Sequence, residues 1–494
     1  MPRFISAGVR LLSAASLLLC AITLCTAQSI TVSTNKVVIP KFMGLGVQWD
    51  PFEYQPTPAE WTTITKRMAF CKPGYLRVMW TASSYCLGLR SDGSPEYVWQ
   101  HGYSSKRGEL NKLCSILQFA QHHNVRVLLG EWSPPIGLIG TETNPVWARI
   151  TVDLLHYLRD ERGFACIRYY NAINEPNGNW SGNKDYPTWV TVIKNLYEAF
   201  AKAGISKQVL IIGPDTTGNS SWMEPFNWLD RSVQDLNKQI GAWDLHWYAL
   251  DPEVYNDVME RILTKKTRML QQAGPVAANK QRFMGESGML TGRVNGDQQP
   301  RVKTFSYGVI MSDYCAQVAR AGWMGASAWD LDDAMHTVKS YKNPPDALTL
   351  KVWGFWNSEG AAMGDPADFN IRPWFYTWSL MSRLFPRGSQ IVYSTAAPLP
   401  QFRNLAGIVK RNGRKLVTIM LVNDSNVSHT VTVKVPSAAK NVTLTVYHYF
   451  KTDRPTNRSG FAIPSSIMRH VNLHKGVRFT LPSQGVIFLT QQGS

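Results

Sequence analysis

The chain has 494 residues, of which 44% are hydrophobic and 18% are charged, so it is neither a disordered nor a fibrous protein. Its 52 lysines and arginines exceed its 35 aspartates and glutamates, which gives a net charge of +17 at pH 7. The basic residues are dispersed and form no basic run or reading-helix motif, so we expect no nucleic-acid partner. The charge favours acidic polysaccharides or an anionic cell surface instead.

The first 27 residues have the pattern of a secretory signal peptide. Arg3 and Arg10 form a basic start, residues 11–24 are a short apolar run, and small residues follow up to Ala27. The apolar run is too short to span a bilayer, and no later stretch is long and apolar enough to do so. We expect cleavage near Ala27 and a secreted protein, extracellular or periplasmic, without a membrane span. An uncleaved anchor is the alternative.

Two short alternating runs, residues 30–32 and 37–39, predict N-terminal strands within residues 28–41. The main domain then extends over residues 42–388, where apolar runs alternate with helix-length patterns. Eight candidate strands lie at 43–48, 76–79, 125–129, 167–173, 209–212, 243–247, 282–284 and 325–329. Eight strand–helix repeats predict an α/β fold, the (β/α)₈ or TIM barrel. A doubly wound open sheet is the alternative, but no glycine-rich phosphate turn follows the first strand.

The tryptophans mark a domain boundary, because all 18 lie between Trp49 and Trp378. Beyond residue 389 the chain has short alternating runs, at 407–410, 416–422, 430–435, 442–449, 477–481 and 486–489. Asn412-Gly413, between the first two runs, is a two-residue hairpin signal. Residues 389–494 are therefore predicted to form a β-sandwich that the N-terminal strands join.

Polar and aromatic residues follow the predicted barrel strands, at the end where barrel enzymes carry their chemistry. In chain order they are Gln48-Trp49-Asp50, Arg77, Glu131-Trp132, Asn174-Glu175-Pro176, Asp215, His246-Trp247-Tyr248, Glu286-Ser287 and Trp329-Asp330. Glu175 ends the fourth strand and Glu286 ends the seventh. These positions of an eight-stranded ring can bring two carboxyl groups to roughly 5–5.5 Å, the spacing of a retaining glycoside hydrolase.

Asn-Glu-Pro after the fourth strand, His-x-Tyr after the sixth, Glu after the seventh and Trp after the eighth resemble clan A of the glycoside hydrolases. The N-terminal strands and the sandwich are most similar to families 30 and 39 of that clan. The resemblance implies that Glu175 is the general acid/base and Glu286 the nucleophile. It also implies that Asn174 hydrogen-bonds the sugar 2-hydroxyl and that Tyr248 orients Glu286. The resemblance further implies that Arg77 stabilises the negative charge of Glu286 and that Trp329 lies under the sugar at the cleavage point.

Further contacts to the sugar are predicted from residue type. Aromatic rings suit the apolar faces of sugars, so Trp49, Trp132 and Trp247 are candidate floors beside Trp329. Asp50 and Glu131 could bind hydroxyl groups on the distal side of the sugar, or pair with Arg77 or with each other. His246 either contacts the substrate or supports the site.

No cofactor and no metal ion are expected, because neither the histidines nor the five cysteines of the mature chain have ligand spacing. Five is an odd number, so at least one thiol is free or pairs with another chain. Ser287-Gly288-Met289 after Glu286 departs from the many relatives that carry an aromatic residue there, and the nearby subsite is expected to differ.

The leading hypothesis is a secreted retaining O-glycoside hydrolase acting on polysaccharide or oligosaccharide. A non-catalytic carbohydrate-binding barrel is the alternative, although it would be expected to lack one of the two glutamates, and an adhesive surface protein is a third possibility. Exo-acting β-xylosidase, β-glucuronidase or arabinosidase activity competes with endo-glucanase or endo-galactanase activity. Long loops at 91–110 and 291–302 could wall the cleft into a pocket and favour exo action.

Overall fold

The structure is a computed structural model, and it describes residues 28–51, 56–99, 109–181, 185–336 and 350–493. The predicted signal peptide lies outside the described residues. Within them, no helix is both long enough and apolar enough to cross a bilayer.

The first eleven strands comprise an N-terminal strand, the eight strands of the barrel and one small hairpin. They are β1 (Gln28–Ile39), β2 (Gly46–Gln48), β3 (Tyr75–Trp80), β4 (Cys86–Leu89), β5 (Pro95–Tyr97), β6 (Arg126–Glu131), β7 (Ile167–Asn171), β8 (Leu210–Gly218), β9 (Ala242–Ala249), β10 (Gln281–Met289) and β11 (Ala326–Ala328). Strands β2, β3 and β6 to β11 are parallel and close into a barrel in chain order, and β4 pairs with β5. The predicted (β/α)₈ barrel is confirmed.

Helices surround the barrel and cover its outer face. They are α1 (Pro58–Cys71), α2 (Glu109–His122), α3 (Ile136–Ile139), α4 (Val146–His156), α5 (Tyr186–Lys202), α6 (Glu224–Asp235), α7 (Asp251–Tyr255), α8 (Val258–Gln272), α9 (Pro275–Ala278), α10 (Phe305–Arg320) and α11 (Pro373–Leu384). Thr57 and Glu60 form a capping box at the start of α1, and Asp185 caps α5. Every residue of β3 is buried, as expected for a strand covered on both faces.

The last eight strands form the second domain. They are β12 (Gln390–Ser394), β13 (Phe402–Arg411), β14 (Arg414–Asn423), β15 (His429–Lys434), β16 (Val442–Tyr449), β17 (Ser466–Val471), β18 (Val477–Leu481) and β19 (Gly485–Thr490). With β1 they make a nine-stranded sheet in the order β17-β16-β19-β14-β13-β12-β1-β15-β18. Its two halves enclose a separate apolar core that includes Val431, Leu444 and Leu489.

Strand β1 belongs to both halves of this sheet, which is how the N-terminus joins the sandwich. Residues 28–31 pair in parallel with β15, and the rest of β1 pairs antiparallel with β12. Asn412 and Gly413 link β13 to β14 with φ values of 50° and 72°, the left-handed pair that a two-residue hairpin turn requires. The predicted β-sandwich with a contribution from the N-terminus is therefore confirmed.

Candidate active site

The structure brings Glu175 and Glu286 together at the carboxyl ends of the barrel strands. Glu175 lies in the turn after β7, and Glu286 lies near the end of β10. Both side chains are buried, with 7% and 4% of the residue surface exposed. Oxygen atoms of the two carboxyl groups lie within 4.8 Å of each other. Two carboxyl groups at this distance leave no room for a water molecule plus a sugar carbon between them.

Glu286 is held by two donors, one on each oxygen. The Arg77 guanidinium donates from Nη1 to Oε1 at 2.6 Å, and the Tyr248 hydroxyl donates to Oε2 at 2.6 Å. Arg77 is completely buried inside the barrel on β3. Because both oxygens accept hydrogen bonds, this geometry suits the ionised carboxylate.

Glu175 is held differently, by one buried and one exposed group. Its Oε1 lies 2.9 Å from His246 Nδ1, and its Oε2 accepts the indole N–H of Trp180 at 2.7 Å. The indole of Trp180 is 61% exposed, whereas His246 is completely buried. Glu175 itself has a φ of 45°, a left-handed conformation that costs a non-glycine residue energy and that occurs most often at functional sites.

A chain of charged groups extends beneath the two glutamates. The Nε2 atom of His246 lies 2.9 Å from Asp215 Oδ1, and Arg77 donates from Nη2 to Asp215 Oδ2 at 3.0 Å. His246 Nδ1 also lies 3.6 Å from Glu286, so carboxylates surround the imidazole ring. A buried Asp244 lies beside Asp215 and accepts the backbone N–H of Gly285. Every buried positive charge here therefore faces at least one carboxylate.

The surroundings shift the titration of these groups in different directions. Burial lowers the pKa of His246, but the charges of Asp215 and Glu286 outweigh burial and raise it well above its usual value. Burial raises the pKa of Asp215, yet His246 and Arg77 hold it below its usual range. Burial and the charge of Asp215 both raise the pKa of Asp244, so Asp244 is the protonated member of that pair. Burial also raises the pKa of Glu286, against the opposing charges of His246 and Arg77.

Asn174 precedes the acid/base candidate and is fixed by the same arginine. Arg77 Nη2 donates to its side-chain oxygen at 2.6 Å. Because that oxygen is engaged, the amide N–H groups are the donors that Asn174 can offer a ligand. Its backbone N–H donates to the carbonyl of Glu131, which ties the turn after β7 to β6.

Trp132, Trp329 and His336 form an aromatic cluster at the same end of the barrel. Trp329 and His336 stack at 4.9 Å, and Trp132 meets Trp329 edge-on at 6.0 Å. The backbone N–H of Trp329 donates to the backbone carbonyl of Ser287, so the cluster lies directly beside Glu286. Asp50 Oδ2 lies 2.9 Å from His336 Nε2. Asp50 thus orients His336, and it makes no ion pair with Arg77.

Two of the predicted sugar platforms point elsewhere. Trp49 is completely buried and packs against Trp61 of α1 and Phe119 of α2, so it lies in the layer between strand and helices. The expectation that Trp49 forms a floor for the sugar is therefore corrected. Trp247 is also completely buried, with its indole N–H donated to Glu253. Side chains alternate along a strand, so a tryptophan at a strand end can face outward as readily as inward.

Glu131 is buried in the barrel wall. Its Oε1 accepts the backbone N–H of Ala82, and burial raises the pKa of Glu131 well above its usual value. Burial therefore favours the neutral acid form of Glu131, which pairs with neither Arg77 nor Asp50.

Sequence reasoning missed four groups that the structure places in this network. Asp215 was recognised only as a strand end, and its contact with His246 depends on how the barrel closes. Asp244 precedes the strand end and carried no signal. Trp180 and His336 lie in loops, where no periodicity assigns a direction, although a tryptophan five residues after Glu175 is a usable hint.

The carboxylates also raise the question of a metal ion. Glu175, His246 and Glu286 offer ligand atoms within 4.8 Å of one another, as do Asp215, Asp244 and His246. In both groups, however, the guanidinium of Arg77 already donates to one of the carboxylates. A fixed cation at that distance opposes a second cation, so proton transfer and covalent chemistry suit this donor set better.

The five cysteines lie apart from the site and are free thiols. Burial raises the pKa of Cys71 and of Cys166 to about 12. Thiols of this kind are protonated and unreactive at neutral pH.

No protein-family model matches the chain, and no curated protein matches it. Several solved structures match the chain. A GH30 endoxylanase from Clostridium papyrosolvens C71 matches with a TM-score of 0.64 and 14% identity, covering 94% of this chain and 100% of that one. This chain has the same fold as the enzymes in the matching structures.

Two further matches differ in the sugar named. An alpha-L-arabinofuranosidase from Thermotoga maritima, in complex with arabinose, matches with a TM-score of 0.63 and 12% identity over 94% of this chain and 99% of that one. A glucosidase from Croceicoccus marinus matches with a TM-score of 0.62 and 10% identity over 95% and 100%. At these identities the likeness establishes the architecture, barrel and sandwich together, and the chemistry has to be argued from the side chains.

Proposed function

We propose that the protein is a secreted retaining O-glycoside hydrolase that cleaves polysaccharide or oligosaccharide by double displacement. The observation that carries the proposal is the approach of the Glu175 and Glu286 carboxyl groups to within 4.8 Å. Retaining enzymes hold their two carboxyl groups roughly 5–5.5 Å apart, whereas inverting enzymes hold them about 6.5–9.5 Å apart to admit a water molecule.

In the first step, Glu286 attacks the anomeric carbon and Glu175 gives its proton to the departing glycosidic oxygen. The C–O bond to the leaving group breaks as the bond to Glu286 Oε forms. The donors Arg77 and Tyr248 support the assignment of Glu286 as nucleophile, because they favour its ionised form. The contact between Glu175 and His246 supports its assignment as acid, because a proton can be shared between them.

In the second step, Glu175 removes a proton from water, and the resulting nucleophile attacks the anomeric carbon from the side that the leaving group has vacated. The bond to Glu286 breaks and the sugar leaves with its original anomeric configuration. The amide N–H groups of Asn174 are placed to donate to a sugar hydroxyl beside Glu286. Trp329 and Trp132 offer aromatic surface for the apolar face of the sugar.

The titration of Glu286 sets the acidic side of the predicted pH profile. Because burial raises the pKa of Glu286, more of it is protonated at a given acidic pH than for an ordinary glutamate. Activity is therefore expected to fall, on acidification, at a pH above the usual glutamate value of about 4.3.

The proposal covers two modes of action, an exo-β-glycosidase and an endo-glucanase-like enzyme. The predicted loop at 91–110, offered as a wall that favours exo action, includes residues 100–108, which lie outside the described residues. The matching structures are those of an endoxylanase, an alpha-L-arabinofuranosidase and a glucosidase. The substrate class that we propose is therefore an O-linked saccharide.

The test is a panel of nitrophenyl glycosides and polysaccharides, assayed with the wild type, Glu175→Ala and Glu286→Ala. Activity should fall by at least about 10³-fold in both variants. Azide should restore turnover of Glu286→Ala and give a glycosyl azide of inverted configuration. Azide should also restore Glu175→Ala on activated substrates, with the configuration retained.

Glu198→Ala, on the exposed face of α5, is the matched control and should keep full activity. Full activity of both active-site variants would contradict the proposal. Saccharide binding by the wild type without turnover would identify the non-catalytic carbohydrate-binding barrel instead.

Secretion is tested separately. Expression of the full chain with its first 27 residues should release protein into the periplasm or medium with an N-terminus near Gln28. Protein that stays in the cytoplasm with Met1 intact would contradict this part of the proposal.

A further inference from the structure

Trp180 is a large aromatic side chain that is exposed where most tryptophans of this chain are buried. It lies in a short 3-10 turn, Asn179–Ser181, that begins four residues after Glu175. Its indole is 61% exposed, yet its N–H donates to Glu175 Oε2 at 2.7 Å. An exposed ring that contacts a buried carboxylate marks the entrance to the cleft on the side of that carboxylate.

The backbone around Trp180 is built to hold the ring in this place. A Cβ atom added to Gly178 would lie 2.3 Å from the indole of Trp180, so only glycine lets the ring pack on the chain here. The Gly178 N–H donates to the Glu175 carbonyl at 2.8 Å, and the Ser181 hydroxyl donates to the Gly178 carbonyl at 2.7 Å. These bonds fold residues 175–181 into a compact turn that returns the indole to the carboxyl group.

The position relative to the reaction follows from the role proposed for Glu175. A general acid must reach the glycosidic oxygen, so the departing group lies next to it. Glu175 Oε1 faces the buried His246, while Oε2 faces the exposed Trp180. The indole is therefore adjacent to the oxygen on the open side, where the leaving group enters.

We propose that Trp180 is the platform for a sugar on the leaving-group side and, through its N–H, a positioning residue for Glu175. The inference rests on the proposed function and deepens it, since it assigns the enzyme substrates whose leaving group is itself a saccharide. The ring and the N–H of the Trp180 side chain have separate roles. The ring contributes binding, because a sugar's apolar face stacks on it, and the N–H fixes the carboxyl group that protonates the glycosidic oxygen.

The experiment compares two substrates with the same cleaved sugar, a glycosyl fluoride and a glycoside with a saccharide leaving group. Fluoride departs without a proton from the acid and has no surface that can stack on the indole. Trp180→Phe keeps a ring and loses the N–H, whereas Trp180→Ala loses both. Trp222→Ala is the matched control, because Trp222 is 40% exposed and its backbone hydrogen-bonds to Asn219.

For the saccharide leaving group, Trp180→Phe should lower kcat about 10-fold with KM little changed. Trp180→Ala should lower kcat similarly and also raise KM about 10-fold. Both variants should stay within about 3-fold of the wild type in kcat/KM on the glycosyl fluoride, because kcat/KM reports the steps up to departure of the leaving group and not the later attack of water. Trp222→Ala should match the wild type on both substrates.

Equal losses on the two substrates, or no loss on either, would overturn the inference while leaving the hydrolase proposal intact. A wild type that turns over neither substrate would overturn both. Thermal unfolding of each variant separates a folding defect from these outcomes. If Trp180→Ala unfolds, Trp180→Phe still tests whether the indole N–H positions Glu175, because it keeps an aromatic ring at an exposed position.

Discussion

The two glutamates lie within 4.8 Å of each other but are supported in different ways. Glu286 is held by the completely buried Arg77 and by Tyr248, which is half-buried. Glu175 has one buried partner, His246, and one exposed partner, Trp180. The difference fits a division of labour: a nucleophile has to stay ionised in one place, whereas an acid/base has to exchange a proton with a leaving group and with water.

The largest effect is expected on the Glu286 side when its buried cation is removed. Arg77→Met would remove the cation that pairs with both Asp215 and Glu286, so His246 would have to balance the two buried carboxylates. The free energy of unfolding should fall by about 3–5 kcal/mol, measured by urea denaturation. Arg149→Met breaks the exposed i,i+4 pair with Asp153 and should cost about 0.5 kcal/mol or less. Equal losses in the two variants would show that the buried ion pairs do not support the site.

The next effect isolates one hydrogen bond to Glu286. Tyr248→Phe removes the hydroxyl at 2.6 Å and should lower kcat/KM about 10–100-fold, with little change in the thermal midpoint. Tyr314→Phe is the control, because its buried hydroxyl donates to the Trp247 carbonyl. That variant should lose about 1 kcal/mol of stability and keep its activity. A fully active Tyr248→Phe enzyme would contradict the role of the hydroxyl.

The Glu175 side is tested through His246, whose Nδ1 lies 2.9 Å from Glu175 Oε1. The negative charge of Asp215 is the largest influence that raises the pKa of His246, so Asp215→Asn should lower that pKa. His246 then loses its proton at lower pH, and the alkaline limb of kcat/KM should move down by about one pH unit or more. Asp160→Asn, beside the exposed His156, should leave the profile unchanged. A limb that stays in place, or moves up, would contradict the role of His246 beside Glu175.

The smallest effect is expected in the aromatic cluster beside Glu286. His336→Ala removes the ring that stacks on Trp329 at 4.9 Å. KM should rise about 2–10-fold with kcat little changed, because stacking of this kind is worth about 0.5–1.5 kcal/mol. Steady-state kinetics on the preferred substrate measure both constants. A fall in kcat alone would place His336 in the chemical steps instead.

Much of the fold could be predicted from periodicity and turn chemistry. Each of the eight predicted barrel strands overlaps a strand of the barrel, and Asn412-Gly413 forms the expected hairpin turn. β4, β5, β12 and β17 were missed, and β5 lies within the predicted loop at 91–110. In β17 five of six residues are partly or fully exposed, so its sequence carries little alternation between apolar and polar residues.

The candidate site was likewise predictable only in part from the sequence. Glu175 and Glu286 were predictable as strand-end carboxylates, but the direction of Trp49 depends on the register of β2, a strand of three residues. Asp215 and His246 are 31 residues apart and meet only because the barrel closes. Trp180 reaches Glu175 through a turn that depends on Gly178, and nothing in a hydrophobic pattern indicates such a reach.

The most direct test of double displacement is to trap the covalent intermediate. A 2-deoxy-2-fluoro glycoside of the sugar preferred in the panel, with a good leaving group, forms the glycosyl-enzyme faster than water cleaves it. Intact-mass and peptide analysis should find one sugar per chain, attached to the carboxylate of Glu286. A label on Glu175 or on any other residue, or turnover that gives a product of inverted configuration, would contradict the account.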